Sequence, residues 1–191
     1  MILLINACVR AESRTKRLAD RLISGLDDPD VKEIRLWEMD LPHVDEAFIN
    51  KRNSLYAKND YSDPIFDPAK EFADADTIVV AAPYWDLSFP AILKQYIEQI
   101  CVLGITFFYN DQDQPQGLCK ARKLYYVTTA GGPIISDDYG YGYIREVART
   151  FFGISELAYV KAEMLDIVGY DAEAILQDVI SNQIPAVLGQ D

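Results

Sequence analysis

Short apolar runs alternate with amphipathic segments from one end of the chain to the other. That alternation narrows the fold more than any other feature of the sequence. Residues 1–6 (MILLIN) and 76–83 (DTIVVAAP) are apolar without a polar face, as strands buried on both sides must be. KLYYVTTAGG (123–132) is another strand running into glycines, and VKEIRL (31–36) alternates as a further one. Behind Ser13, the residues Leu18, Ala19, Leu22, Ile23 and Leu26 recur at helical spacing, and Gly25 with the DDPD cluster at 27–30 ends that helix. Residues 40–68, with Pro42, Pro64 and Pro68, predict a helix near 45–57 and then loop. Pro90 stands where a first helical residue belongs, and Leu93, Tyr96, Ile97 and Ile100 share one face after it. The remaining expectations are an extended stretch and wide turn over 104–118, helix over 141–152, extended chain over 156–168 and a last amphipathic helix over 171–188. Strand and helix in turn imply a parallel sheet covered on both faces, with right-handed crossovers.

The chain has 191 residues, half of them hydrophobic, enough for one domain over 1–191 with a full core. No repeat or linker divides it. A formal net charge of −12 argues against nucleic acid or an anionic membrane as partner, because phosphate backbones are held by cationic surfaces. No stretch reaches the roughly 18 apolar residues of a membrane span. The apolar start has no basic segment before it, so it reads as a first strand and not as a signal peptide. Cys8, Cys101 and Cys119 are odd in number and widely spaced, which disfavours a disulfide framework and suits a reducing cytoplasm. His43 is the single histidine and has no metal-ligating neighbour in sequence, so neither a metal centre nor a histidine-based triad is expected.

In a sheet of this kind ligands bind beyond the carboxyl ends of the strands, where the strand order reverses. Three loops qualify: 7–13, 83–90 and 129–140. The first leads into RAESRTKRLADR, where Arg10, Arg14, Lys16, Arg17 and Arg21 face only two acids. With Ser13 as cap it reads either as an anion site of the phosphate type or as an ordinary capped helix with a solvated basic face. It holds no glycine, which excludes both glycine-rich phosphate fingerprints. In the second loop, Tyr84, Trp85, Asp86 and Leu87 offer a flat ligand an aromatic face and backbone groups; Trp85 and Phe89 equally suit packing against a neighbour. The third loop, TTAGGPIISDDYGYGY, pairs threonine hydroxyls with Gly131 and Gly132, which permit close backbone approach, or form a plain turn.

The stretch PYWDLSFPAILKQYIEQI resembles a signature of flavodoxin-like quinone reductases and FMN-dependent NADH-azoreductases. RAESRTKRLADRLI is similar to the same family's first loop and helix. Thr106, Phe107, Tyr109, Gly117 and Leu118 match its TF-x-Y…GL stretch, Thr129-Ala130-Gly131-Gly132 its [ST]-x-G-G turn, and YIREVARTFFGI its late helix. The likeness runs in order over nearly the whole chain. It implies a flavodoxin-like α/β three-layer sandwich, with a five-stranded parallel sheet in the order 2-1-3-4-5. It also implies that Arg10, Ser13, Arg14 and Thr15 hold the phosphate of a non-covalent FMN. Pro83, Tyr84, Trp85, Asp86 and Leu87 would then line the ring, with Thr129, Ala130, Gly131 and Gly132 at its pyrimidine side.

The implied activity is ping-pong hydride transfer from NADH or NADPH, through flavin N5, to a quinone, azo compound or nitroaromatic. No catalytic side chain is demanded. Tyr109 and Tyr139 would wall the acceptor slot in a homodimer, with residues 104–118 and 48–66 as dimer contact and lid. The family usually has Asn where this chain has Asp86, and a carboxylate beside the ring would lower its redox potential. Two alternatives share the fold: a flavodoxin-type electron carrier and a non-enzymatic module.

Overall fold

The computed structural model describes residues 1–26 and 28–190, so Asp27 of the helix-ending cluster lies outside the described residues. The strands are β1 (Ile2–Asn6), β2 (Val31–Arg35), β3 (Thr77–Ala81), β4 (Phe107–Tyr109), β5 (Pro115–Gly117), β6 (Lys123–Thr129) and β7 (Glu156–Ala162). The helices are α1 (Arg14–Ser24), α2 (Glu46–Ala57), α3 (Asp67–Asp74), α4 (Ala91–Ile100), α5 (Tyr141–Val147), α6 (Ala172–Asp178) and α7 (Ile184–Leu188). Five strands form one parallel sheet in the order β2-β1-β3-β6-β7. Counted without the separate β4–β5 hairpin, this is the expected 2-1-3-4-5 layout.

Side-chain alternation along the strands divides the core in two. Leu3, Ile5, Ile78, Val80, Leu124 and Tyr126 face α3, α4 and α5, where Phe72, Leu93, Tyr96, Ile97, Ile144 and Phe152 complete the cluster. Ile2, Leu4, Val79, Tyr125, Val127 and Val160 face the other way, against Leu18, Ala19 and Leu22 of α1 and Leu176, Val179 and Ile184 of the C-terminal helices. β1 sits inside this arrangement with every residue buried, which is why its sequence shows no polar face.

Several boundaries differ from expectation, each for a local reason. Pro90 is the N-cap of α4, with extended backbone (ψ 138°), and not its first residue. The loop expected from 58 to 68 is interrupted by a 3₁₀ turn (Pro64–Phe66) capped by Asp63 and runs at its end into α3, a helix not expected from the sequence, whose Ala69 and Phe72 are buried. The wide turn over 104–118 closes as an antiparallel hairpin, with Phe107 opposite Gly117. The extended chain expected over 156–168 stops at Ala162, because Met164 adopts a left-handed φ of +65° that no strand accommodates. Helix over 141–152 is present, its last turn (Ala148–Phe152) wound as a π-helix and stopped by Gly153 at φ +72°. No helix of the described residues is long and apolar enough to cross a membrane.

Candidate functional site

From β1 the chain crosses to β2 on one side, and the next sheet strand, β3, lies on β1's other side. The loops leaving β1 and β3 therefore part at their carboxyl ends, and a crevice opens between them. There the structure forms a cavity of about 340 Å3, lined by Cys8 to Arg10, Glu12 to Thr15, Pro83 to Trp85, Thr129 to Gly131, and Leu165 with Asp166. Ligand pockets usually fall in the range of roughly 300–1,000 Å3.

The β1 loop is fixed at its root before it opens. Asn6, buried, accepts the Cys8 N–H at 2.8 Å through its side chain and donates to Glu33 at 2.7 Å. Ala7 N–H donates to the Ala81 carbonyl at 2.9 Å, so the loop starts at a set distance from β3. Ser13 then caps α1, its oxygen accepting from Lys16 N–H at 3.3 Å. Capping uses the Ser13 oxygen as acceptor and leaves its hydroxyl proton to donate. The N–H groups of Arg14 and Thr15, first in the helix, have no acceptor among the described residues. Thr15 and Thr129 share a hydrogen bond of 2.6 Å between hydroxyls, which ties the first loop to the third. One proton of that pair is spent between them and the other can be given to a ligand.

Charges in this loop are more committed than the sequence suggests. Lys16 pairs with Asp20, Arg17 with Glu173, and Arg14 with Asp166 at 2.7 Å. Arg10 is exposed and has no carboxylate partner among the described residues. Cys8 is buried, its sulfur 3.5 Å from the Ala81 carbonyl, and burial pushes its thiol up to about 11. It is a packed thiol and not a nucleophile.

The β3 loop is a two-residue hairpin. Trp85 N–H donates to the Ser88 carbonyl at 3.0 Å and Ser88 N–H returns to Trp85 at 2.8 Å. Asp86 and Leu87 between them have φ of +50° and +69°. A turn with both central residues left-handed is the I′ type, which prefers Asn, Asp or Gly. Asp86 suits that conformation; Leu87 occupies it at a cost of about 1–2 kcal/mol. The hairpin sets Tyr84 and Trp85 into the wall, while Asp86 and Leu87 stay exposed and do not line the cavity. Tyr84 N–H donates to the Thr129 carbonyl at 3.0 Å, and its hydroxyl is buried with no partner among the described residues. Ser88 donates its hydroxyl to the Tyr139 carbonyl, drawing the third loop toward the hairpin.

Of the third loop, Thr129, Ala130 and Gly131 reach the cavity and Gly132 does not. Thr128 is buried, its side chain on the opposite face of β6 from that of Thr129. Tyr109, on the hairpin, and Tyr139 are exposed and lie outside the lining of this single chain. Leu165 and Asp166 were not among the expected residues. The chain reverses at Met164 and lays three N–H groups on the glycine loop: Met164 to Gly132 at 3.1 Å, Leu165 to Ala130 at 3.2 Å, Asp166 to Gly131 at 2.8 Å. The one trace of this in the sequence is an acid interrupting the apolar run 164–168.

The family described as having a flavodoxin-like fold matches residues 1–182. An FMN-dependent NADH:quinone oxidoreductase of Clostridium beijerinckii is 35% identical over 184 residues, 92% of this chain and 90% of that protein. In FMN-dependent NADH:quinone oxidoreductase 2 of Clostridium acetobutylicum the identity is 44% over 117 residues, a stretch spanning 59% of this chain and 58% of the relative. Among solved structures, an FMN-dependent NADH-azoreductase from Bacillus anthracis in complex with FMN superposes with a TM-score of 0.79 at 20% identity. It covers 97% of this chain and 96% of the neighbour, a likeness of fold. The chain belongs to the flavodoxin-like family and, within it, to the family of the FMN-dependent NADH:quinone oxidoreductases.

Proposed function

We propose that this protein is an FMN-dependent oxidoreductase that passes hydride from NADH or NADPH to quinones, azo compounds or similar acceptors in two half-reactions. The observation that carries this reading is the convergence of Arg10, Trp85 and Gly131, from three loops far apart in sequence, on one cavity. The names of the C. beijerinckii relative and of the FMN-bound B. anthracis neighbour support it.

The residues fit FMN chemically. Phosphate finds the open helix start of α1, the spare protons of Ser13 and the Thr15–Thr129 pair, and the Arg10 guanidinium. A planar ring would find Tyr84, Trp85 and Gly131 among the residues that line the cavity. FMN, when bound, supplies the redox chemistry, and the protein supplies binding, orientation and electrostatics. Accordingly the wall needs no general base and has no histidine. Tyr84 lines the cavity, and its buried hydroxyl has no partner among the described residues. Tyr109 and Tyr139 stand exposed outside this wall; a second copy of the chain, with these two rings, would complete the acceptor slot.

Purified protein should carry flavin or take up FMN stoichiometrically, and the holoprotein should oxidise NADH steadily with a small quinone and no added reductase. A colourless protein that FMN cannot reconstitute defeats the reading. Flavin binding without quinone-dependent NADH oxidation makes the protein an electron carrier.

A further inference from the structure

We propose that Asp166 is a built-in competitor for Arg14, holding the site's grip on phosphorylated ligands below what its cations could deliver; this rests on the FMN reading above. A phosphate monoester carries about −1.5 to −2 charges at neutral pH, so a carboxylate in the cavity wall opposes it. Asp166 is such a carboxylate. Its Oδ1 accepts from Arg14 Nη2 at 2.7 Å, and Arg14 Nη1 donates to the Leu165 carbonyl at 3.0 Å. The guanidinium that begins α1 is thus already turned onto the loop that carries the acid.

Three features make this a held arrangement. The backbone of 164–166 is bonded to the carbonyls of 130–132, which fixes where the carboxylate stands. Asp166 Oδ2 leans over Gly131, 2.4 Å from the place a Cβ would occupy, so glycine at 131 leaves the carboxylate its room. The charged side chains of the wall are Arg10 and Arg14 against Glu12 and Asp166, and their formal charges cancel. Yet the pair is breakable, since Arg14 is 38% and Asp166 63% exposed. An incoming phosphate must therefore contend with Asp166 for Arg14, and Arg10 alone meets it unopposed.

The test measures dissociation constants of FMN and of riboflavin, which lacks the phosphate, by flavin fluorescence on apoprotein. The proteins are wild type, Asp166→Asn, Arg14→Gln and the double variant. Asp166→Asn should tighten FMN by about three- to tenfold, leave riboflavin within about twofold, and lose most of its gain in the Arg14→Gln background. Arg14→Gln alone should cost FMN less than about threefold, and it decides the matter if Asp166→Asn fails to fold. Weaker FMN binding by Asp166→Asn would make Asp166 an aid to Arg14 and overturn the proposal. So would an equal shift for riboflavin, a gain undiminished by Arg14→Gln, or a tenfold loss on Arg14→Gln alone. Wild type that binds neither flavin removes the FMN reading as well, whereas flavin binding indifferent to residue 166 removes the competitor only.

Discussion

Gly117→Ala tests whether the β4–β5 hairpin and the cavity are separable parts. At Gly117 the hairpin meets the end of the α5 π-turn backbone to backbone. An added Cβ would lie 2.1 Å from Gly153 N, 2.2 Å from Phe152 C and 2.5 Å from Gly153 Cα. Ordinary contact begins near 3.4 Å, so the two segments must part by about 1.3 Å. Neither side yields easily, since Gly153 is held at φ +72° and Gly117 is in register with Phe107. Opening the seam loosens Phe107 from Phe151, whose rings lie 4.9 Å apart, and strains the 2.8 Å bond from Leu118 N–H to the Thr106 carbonyl. Overpacking of this kind costs about 1–3 kcal/mol. At about 2–4 °C per kcal/mol for a chain of this size, the apoprotein should melt about 2–12 °C lower. No residue of the β4–β5 hairpin lines the cavity, so FMN affinity should stay within about twofold, while quinone-dependent NADH oxidation should fall as Tyr109, the proposed slot residue, is displaced. Melting by circular dichroism and an FMN titration decide it. An unchanged melting temperature would refute the close approach, and a parallel loss of FMN would refute the separation.

Three further outcomes follow from the same geometry. Arg10→Gln should weaken FMN about ten- to a hundredfold with little change for riboflavin, because the proposed FMN site gives Arg10 a charge-assisted phosphate contact and no carboxylate pairs with it among the described residues. Trp85→Ala should weaken FMN and riboflavin alike, by about two- to tenfold, as loss of a ring contact requires; selective loss of FMN would place Trp85 at the phosphate instead. Burial raises the thiols of Cys8 and Cys101 from 9.0 to about 11, and that of Cys119 to about 12. The unfolded chain releases these protons first, so their contribution to stability is complete below pH 9 and disappears as pH climbs through 11–12. The urea midpoint should therefore fall steadily above pH 9; a flat midpoint to pH 11 would mean that the thiols are solvated.

The alternation of apolar runs with helical patterns by itself determined the layered sheet, its parallel sense and the three loops worth attention, because strand and helix periods are properties of neighbours in sequence. The full burial of β1 follows from MILLIN alone, and the Ser13 cap from one residue. What only the tertiary structure decided lies between distant residues. Asp166 is 152 residues from Arg14, and no local spacing foretells their pairing. The same holds for Thr15 with Thr129. The left-handed turn at Asp86 and Leu87 was equally hidden, since a leucine there runs against its own backbone preference and is held by the bonds between Trp85 and Ser88. Sequence pattern records which faces are apolar. Which charge meets which, and which backbone bends against its preference, is fixed only when the chain closes on itself.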